Sequence, residues 1–189
     1  SGEFQALLKE LNVSNDDFIR TTDQIRHWPA VHKFWKKLKD DGDLYKAKYQ
    51  GLYCVGHEAF IKKSELRNGL CLDHQIEPEK IEEENYFFKL SRYKDEVRKL
   101  ILEDKIKIYP QFRKDEVLNL IKESEDVSFS RPSKDLHWGI PVSDDTEHII
   151  YVWTEALLNY ISAIGYADET WQFKKLWPAD IHLIGKDIL

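Results

Sequence analysis

The chain has 189 residues, 42% of them apolar, and a formal net charge of −6, which suits one medium domain or two small ones with a packed core. The negative charge excludes the broad electrostatic grip on phosphates that a free-standing nucleic-acid-binding module needs, so any RNA contact is expected to be local. No apolar run approaches a membrane span and no secretory signal opens the chain, so the expectation is a soluble protein of the cytoplasm or an organellar matrix, with no membrane partner.

Residues 3–12 place Phe4, Leu7, Leu8 and Leu11 at helical spacing, and residues 12–16 supply turn chemistry. A short strand is expected over 18–21. A second helix is expected over 23–39, with Trp28, Val31, Trp35 and Leu38 on one face, Pro29 in its first turns, and Asp41-Gly42-Asp43 ending it. Residues 44–60 are Tyr-rich and partly alternating, with Gly51 and Gly56, and read as short strands and tight turns that begin an insertion. Residues 61–80 hold few apolar side chains for a core of their own. A strand over 82–89 and helices over 91–103 and 111–122 follow, the helices carrying alternating charges that mark solvated faces. Short apolar or β-branched runs at 127–130, 148–153 and 181–184, with a helical stretch at 155–164 between the last two, predict a parallel α/β sheet. Ser1-Gly2, the missing initial methionine and the stop at Leu189 inside a strand-to-helix turn suggest a piece of a longer chain.

Both cysteines sit in Cys-x-x-His units, Cys54 with His57 and Cys71 with His74. Each unit can present a thiolate and an imidazole from one tight turn, and two such turns satisfy the tetrahedral preference of Zn²⁺. Gly56 and Gly69 lie where these turns need backbone freedom. A metal would also supply the folding free energy that 61–80 lacks. Closed by four protein ligands, the site would be structural. The competing reading is a half-buried strand followed by a loop, without metal. A DNA-reading finger is excluded, because both pairs are mixed and their surroundings acidic.

Trp153, Ala156, Leu157 and Tyr160 fall at i, i+3, i+4 and i+7, with a small residue between two rings. They read either as the aromatic stripe of a core helix or as a slot for a slim apolar side chain, thioethers being favoured beside rings. Placement at the carboxyl end of a parallel strand would favour the slot. In the strand exit at 182–187, Gly185 permits close backbone approach and Asp187 offers a carboxylate to ribose hydroxyls, or the segment is an ordinary surface turn. Arg131, before Pro132, either neutralises phosphate charge or makes a surface ion pair.

The order and wording of several segments resemble the methionyl-tRNA synthetase family. They are Phe18-Ile-Arg-Thr-Thr-Asp23, Tyr49-Gln-Gly-Leu-Tyr-Cys54 with Glu58-Ala-Phe60, Glu84-Asn-Tyr-Phe-Phe88, Phe129-Ser-Arg131, Trp138-Gly-Ile-Pro141, Tyr151-Val-Trp153 with Ala156, and Trp177-Pro178 leading to His182-Leu-Ile-Gly-Lys-Asp187. The resemblance implies an α/β fold, part of a Rossmann-type class I catalytic domain interrupted by a small α+β connective insertion with a zinc knuckle. It assigns 1–43 to the end of the first catalytic half, 44–126 to the insertion and 127–189 to the start of the second half. It implies that Trp153, Ala156, Leu157 and Tyr160 line a methionine pocket, that Gly185 and Asp187 bind ATP or adenylate, and that Arg131 acts near the reacting phosphates. Implied partners are methionine, ATP with Mg²⁺, and tRNA(Met).

Three departures accompany the resemblance. His57 stands where many relatives have Cys, and Thr154-Glu155 replaces a hydrophobic residue followed by Asp. The family's His-Ile-Gly-His and Lys-Met-Ser-Lys-Ser elements do not occur in the 189 residues, so this polypeptide alone is expected not to aminoacylate. The alternative function is a non-catalytic zinc-bearing module for RNA or protein contact.

Overall fold

A computed structural model describes residues 2–57, 59–61, 65–134, 136 and 138–185. The chain is mixed α/β and separates into two compact units, one joining 2–35 to 154–182 and the other joining 36–153 to 183–185 within the described residues.

The first unit opens with α1 (Gly2–Glu10), which buries no residue. The expected strand at 18–21 does not form. Local turn bonds take its place: the Asp23 amide donates to the Arg20 carbonyl at 3.0 Å, and the Trp28 indole donates to the Thr21 carbonyl at 3.1 Å. Backbone groups satisfied in this way have no need of a ladder. The Asp23 carboxylate accepts from the amides of Ile25 and Arg26, each at 2.9 Å, and so leads into α2 (His27–Asp40). The helix therefore starts four residues later than periodicity indicates, after a capped turn. Ala30, Val31, Trp35 and Leu38 are buried along it. Gly42 ends it with φ of +74°, its amide bonding to the Lys39 carbonyl at 3.1 Å and that of Asp43 to the Leu38 carbonyl at 2.9 Å. This is a Schellman closure, which a residue with Cβ would strain.

In the second unit, β1 (Leu44–Cys54), β2 (Ala59–Ile61), β5 (Glu79–Phe88) and β6 (Val127–Ser128) form one sheet in the order β2-β1-β5-β6. Where short strands were expected, β1 is a single strand of 11 residues that pairs with β5 from Leu44↔Phe88 to Tyr53↔Glu79. The root of this arm is fixed by buried Asp43, whose carboxylate accepts from Arg92 at 2.6 Å and from the Tyr93 hydroxyl. Beyond the arm's far end, β3 (Leu66–Arg67) and β4 (Leu70–Cys71) make a separate hairpin. Its two turn residues, Asn68 and Gly69, have φ of +53° and +82°, the left-handed pair a two-residue hairpin loop requires. A 3-10 turn at Leu90–Arg92 leads into α3 (Lys94–Leu102), and α4 (Lys114–Glu123) packs against it.

The remaining sheet joins β7 (Ser130–Pro132), β8 (Pro141–Val142) and β9 (Asp145–Ile150) in the order β7-β9-β8. Every strand pair among the described residues is antiparallel, so the predicted parallel sheet is not formed there. A parallel pair needs a return strand after the crossover. Here 181–185 joins no ladder, and Leu183 is 91% exposed. The strand ending near Trp153 also stops early: β9 ends at Ile150, and α5 (Val152–Leu157) begins two residues later, followed by α6 (Asn159–Ser162) and α7 (Trp171–Leu176).

Candidate metal centre and pocket residues

The end of β1 supplies Cys54, the turn after it His57, β4 Cys71, and the turn beyond β4 His74. Their ligand atoms all lie within 4.8 Å of one another. Cys71 Sγ stands 3.5 Å from His57 Nδ1 and 3.8 Å from His74 Nδ1, and Cys54 Sγ stands 3.8 Å from the same His74 atom. Both thiols are free and buried.

The turns are shaped for this convergence. The His57 amide donates to the Cys54 carbonyl at 3.1 Å, and the Gln75 amide to the Cys71 carbonyl at 2.9 Å. A Cβ on Gly56 would come within 2.4 Å of the His74 ring, so this position needs glycine for close approach. The local core consists of Cys54, Ile61 and Cys71 with Leu52 and Leu66 beside them. Two of its three buried members are therefore ligand-type residues. The His74 backbone holds the Cys71 thiol below its ordinary value, against the opposing effect of burial. A low thiol pKa is what a metal-binding cysteine needs. All four predicted ligand residues thus meet at one point, with two sulfur and two nitrogen donors able to hold a four-coordinate ion.

Asp73 was not singled out from the sequence. Its carboxylate lies 3.0 Å from His57 Nε2. A carboxylate only accepts, so Nε2–H donates and the Nδ1 lone pair faces the thiols. The only signal in the sequence was its place inside the Cys71-x-x-His74 unit.

Trp153, Ala156 and Leu157 lie on α5, and Tyr160 on α6. Trp153, Leu157 and Tyr160 are 52, 54 and 47% exposed, so they are not a core stripe of this chain. The Tyr160 ring meets His182 edge to face at 4.7 Å. Because the nearby sheet is antiparallel, the argument from the carboxyl end of a parallel strand does not apply to Trp153. Arg131 lies on β7, where its Nη1 donates to Ser128 Oγ and to the Ser130 carbonyl, both at 2.8 Å, and its guanidinium sits 4.0 Å from the centre of the Tyr151 ring. Gly185 is exposed, and Asp187 lies outside the described residues.

A buried polar group in the first unit was also missed. His27, fully buried, places Nε2 2.9 Å from Glu155 Oε2 and Nδ1 2.8 Å from Ser162 Oγ. These residues are distant in sequence and carry no motif, so only the fold reveals them. In the second unit Asp145 accepts from Lys46 at 2.6 Å and from the Tyr86 hydroxyl at 3.0 Å, and its carboxylate lies 3.1 Å from His148 Nδ1. Burial raises the Asp145 pKa, but these three partners outweigh it and hold the carboxyl well below the usual carboxylate range. Burial first, then the Asp145 bond, pushes the Tyr86 hydroxyl up to about 12.

Comparison with known proteins agrees along the whole chain. The profile of the family described as tRNA synthetases class I (M) matches residues 1–71 and 61–189. The methionine–tRNA ligase of Clostridium perfringens is 50% identical over 186 residues, covering 97% of this chain and 28% of that protein. That of Rickettsia conorii is 44% identical over 191 residues, covering all of this chain and 37% of the relative. Among solved structures, Mycobacterium tuberculosis methionyl-tRNA synthetase in complex with methionyl-adenylate superposes with a TM-score of 0.87 at 38% identity, over 100% of this chain and 38% of the other. The chain thus spans about a third of the length of such relatives. On these matches, the chain belongs to the class I tRNA synthetases of the methionine type.

Proposed function

We propose that these residues form the part of a methionine–tRNA ligase that carries one wall of the methionine pocket and the metal-bearing connective insertion. The observation that carries the reading is the unbroken likeness to a synthetase solved with methionyl-adenylate, together with exposed Trp153, Leu157 and Tyr160 at the positions the resemblance assigns to methionine. On this reading 1–43 ends the first half of a Rossmann-type catalytic domain, 44–126 is the insertion and 127–189 begins the second half. The setting is the cytoplasm or an organellar matrix.

In the reaction, the methionine carboxylate attacks the α-phosphorus of ATP, pyrophosphate leaves, and the methionyl group passes from the adenylate to the terminal ribose of tRNA(Met). Mg²⁺ accompanies ATP. The rings of Trp153 and Tyr160 with Leu157 take the thioether side chain, while Ala156 leaves room for it. Arg131 offers its guanidinium to phosphate oxygens, oriented by Ser128 and Tyr151. Gly185 and Asp187 take the adenosine. Positioning and charge stabilisation supply most of the rate in such a reaction.

The metal we assign to the knuckle is Zn²⁺. For Zn–S of about 2.3 Å and Zn–N of about 2.05 Å, a tetrahedral S–N edge is roughly 3.6 Å. The separations of 3.5, 3.8 and 3.8 Å lie close to it. With four protein ligands it is structural.

The test is methionine-dependent pyrophosphate exchange by the full-length ligase carrying this segment. Tyr160→Ala is expected to raise the KM for methionine on the order of 10-fold or more, with the KM for ATP little changed. An unchanged methionine KM would sink the pocket assignment.

A further inference from the structure

We infer that His27 is a positioning residue for the methionine pocket: it ties together the two helical segments that carry the pocket wall. The inference rests on the reading of Ala156, Leu157 and Tyr160 as that wall. α5 ends at Leu157 and α6 starts at Asn159, and across the junction the Leu158 amide bonds back only three residues, to Glu155, at 3.0 Å. No continuous α-helical ladder therefore fixes Leu157 relative to Tyr160. The fully buried His27 ring engages both sides of the break, Glu155 on α5 through Nε2 and Ser162 on α6 through Nδ1. Glu155 adjoins Ala156, and Ser162 lies two residues beyond Tyr160.

The imidazole is itself held. The His27 amide donates to the Asp23 carbonyl at 3.0 Å, and the Asp23 carboxylate caps the turn below it. Arg26 reaches the Ala163 carbonyl at 3.3 Å, which secures the far side of α6. Nε2 faces a carboxylate, which can only accept, so its hydrogen is committed to Glu155. Nδ1 is left to a hydroxyl that can donate or accept. A rigid ring with both nitrogens engaged sets the distance between its two partners, as flexible side chains would not. Glu155 stands where the family's wording has Asp, so a carboxylate able to accept from His27 is kept at this position.

The test uses pyrophosphate exchange by the full-length ligase, with methionine and ATP varied separately and the Tm of each variant read first. His27→Phe keeps a ring and removes both hydrogen bonds. It is expected to raise the KM for methionine on the order of 10- to 100-fold and to leave that for ATP within about 2-fold, because misplacing a binding group by about 1 Å has effects of this size. Ser162→Ala should move the methionine KM in the same direction by about 3- to 10-fold, as the loss of one neutral hydrogen bond implies. Glu155→Gln keeps an oxygen acceptor for Nε2–H and should stay within about 3-fold of the parent. A lowered Tm with an unchanged methionine KM in His27→Phe and Ser162→Ala overturns the inference, as does an equal rise for both substrates. If His27→Phe does not fold, Ser162→Ala decides. Tyr160→Ala run in parallel separates the two claims: if it leaves the methionine KM unchanged, the pocket reading fails. If it raises that KM and the His27 and Ser162 variants do not, only the inference fails.

Discussion

Chelation of the metal should melt the end of the β1–β5 arm and leave its root intact. The last β1–β5 pair is Tyr53↔Glu79, and past it β1 pairs only with the three-residue β2, up to Cys54↔Ala59, so the tip depends mainly on the small cluster of Cys54, Ile61 and Cys71. Burying Ile61 contributes about 2–3 kcal/mol, whereas ordering even ten residues costs about 10–20 kcal/mol. Structural zinc supplies about 10–16 kcal/mol near neutral pH, so an ion bound here would decide whether the knuckle is folded. Amide hydrogen exchange with and without a strong chelator measures this directly. The amides of His57, Cys71, Leu72 and Gln75, each hydrogen-bonded within the knuckle, should lose protection, while those of the arm near Leu44↔Phe88 keep theirs. Equal protection of the knuckle amides in both states would refute the reasoning.

Asp73→Ala removes the acceptor that fixes His57, and zinc affinity should fall about 10- to 100-fold, as read by competition with a chromophoric chelator. The Asp145 carboxyl, ionised more readily in the folded chain, should contribute stability that is present above the unfolded value near pH 4 and is lost as the pH falls through its depressed folded value. Denaturant midpoints between pH 6 and 2 should show this dependence, and Asp145→Asn should flatten it. Tyr86 acts with the opposite sign: its contribution is present below about pH 10 and is lost as the pH rises towards about 12.

Residues whose spacing carries chemistry were legible from the sequence. The two Cys-x-x-His units specified the convergence of Cys54, His57, Cys71 and His74, because four ligand-type residues in matched pairs have few other uses. Periodicity located α1, α2, α3 and α4 within a few residues, missing mainly the capped turn at Asp23. Sheet topology was less legible. A strand–helix–strand order says nothing of whether the last strand finds a partner, and 181–185 finds none within the described residues. Partnerships across long sequence distances were not legible at all. His27 gave no sign of being tied to Glu155 and Ser162, since a buried histidine's partners are set by packing and not by spacing.

The arm described above has a mechanical meaning. Ten paired residues at roughly 3.4 Å each put the knuckle about 30 Å from the Asp43 anchor. A change of donor at so remote a tip, such as histidine for cysteine at position 57, would fall first on the turns next to it. The β1–β5 ladder would therefore act as insulation, leaving the coordination of an ion bound there free to drift while the sheet near Asp43 keeps its shape.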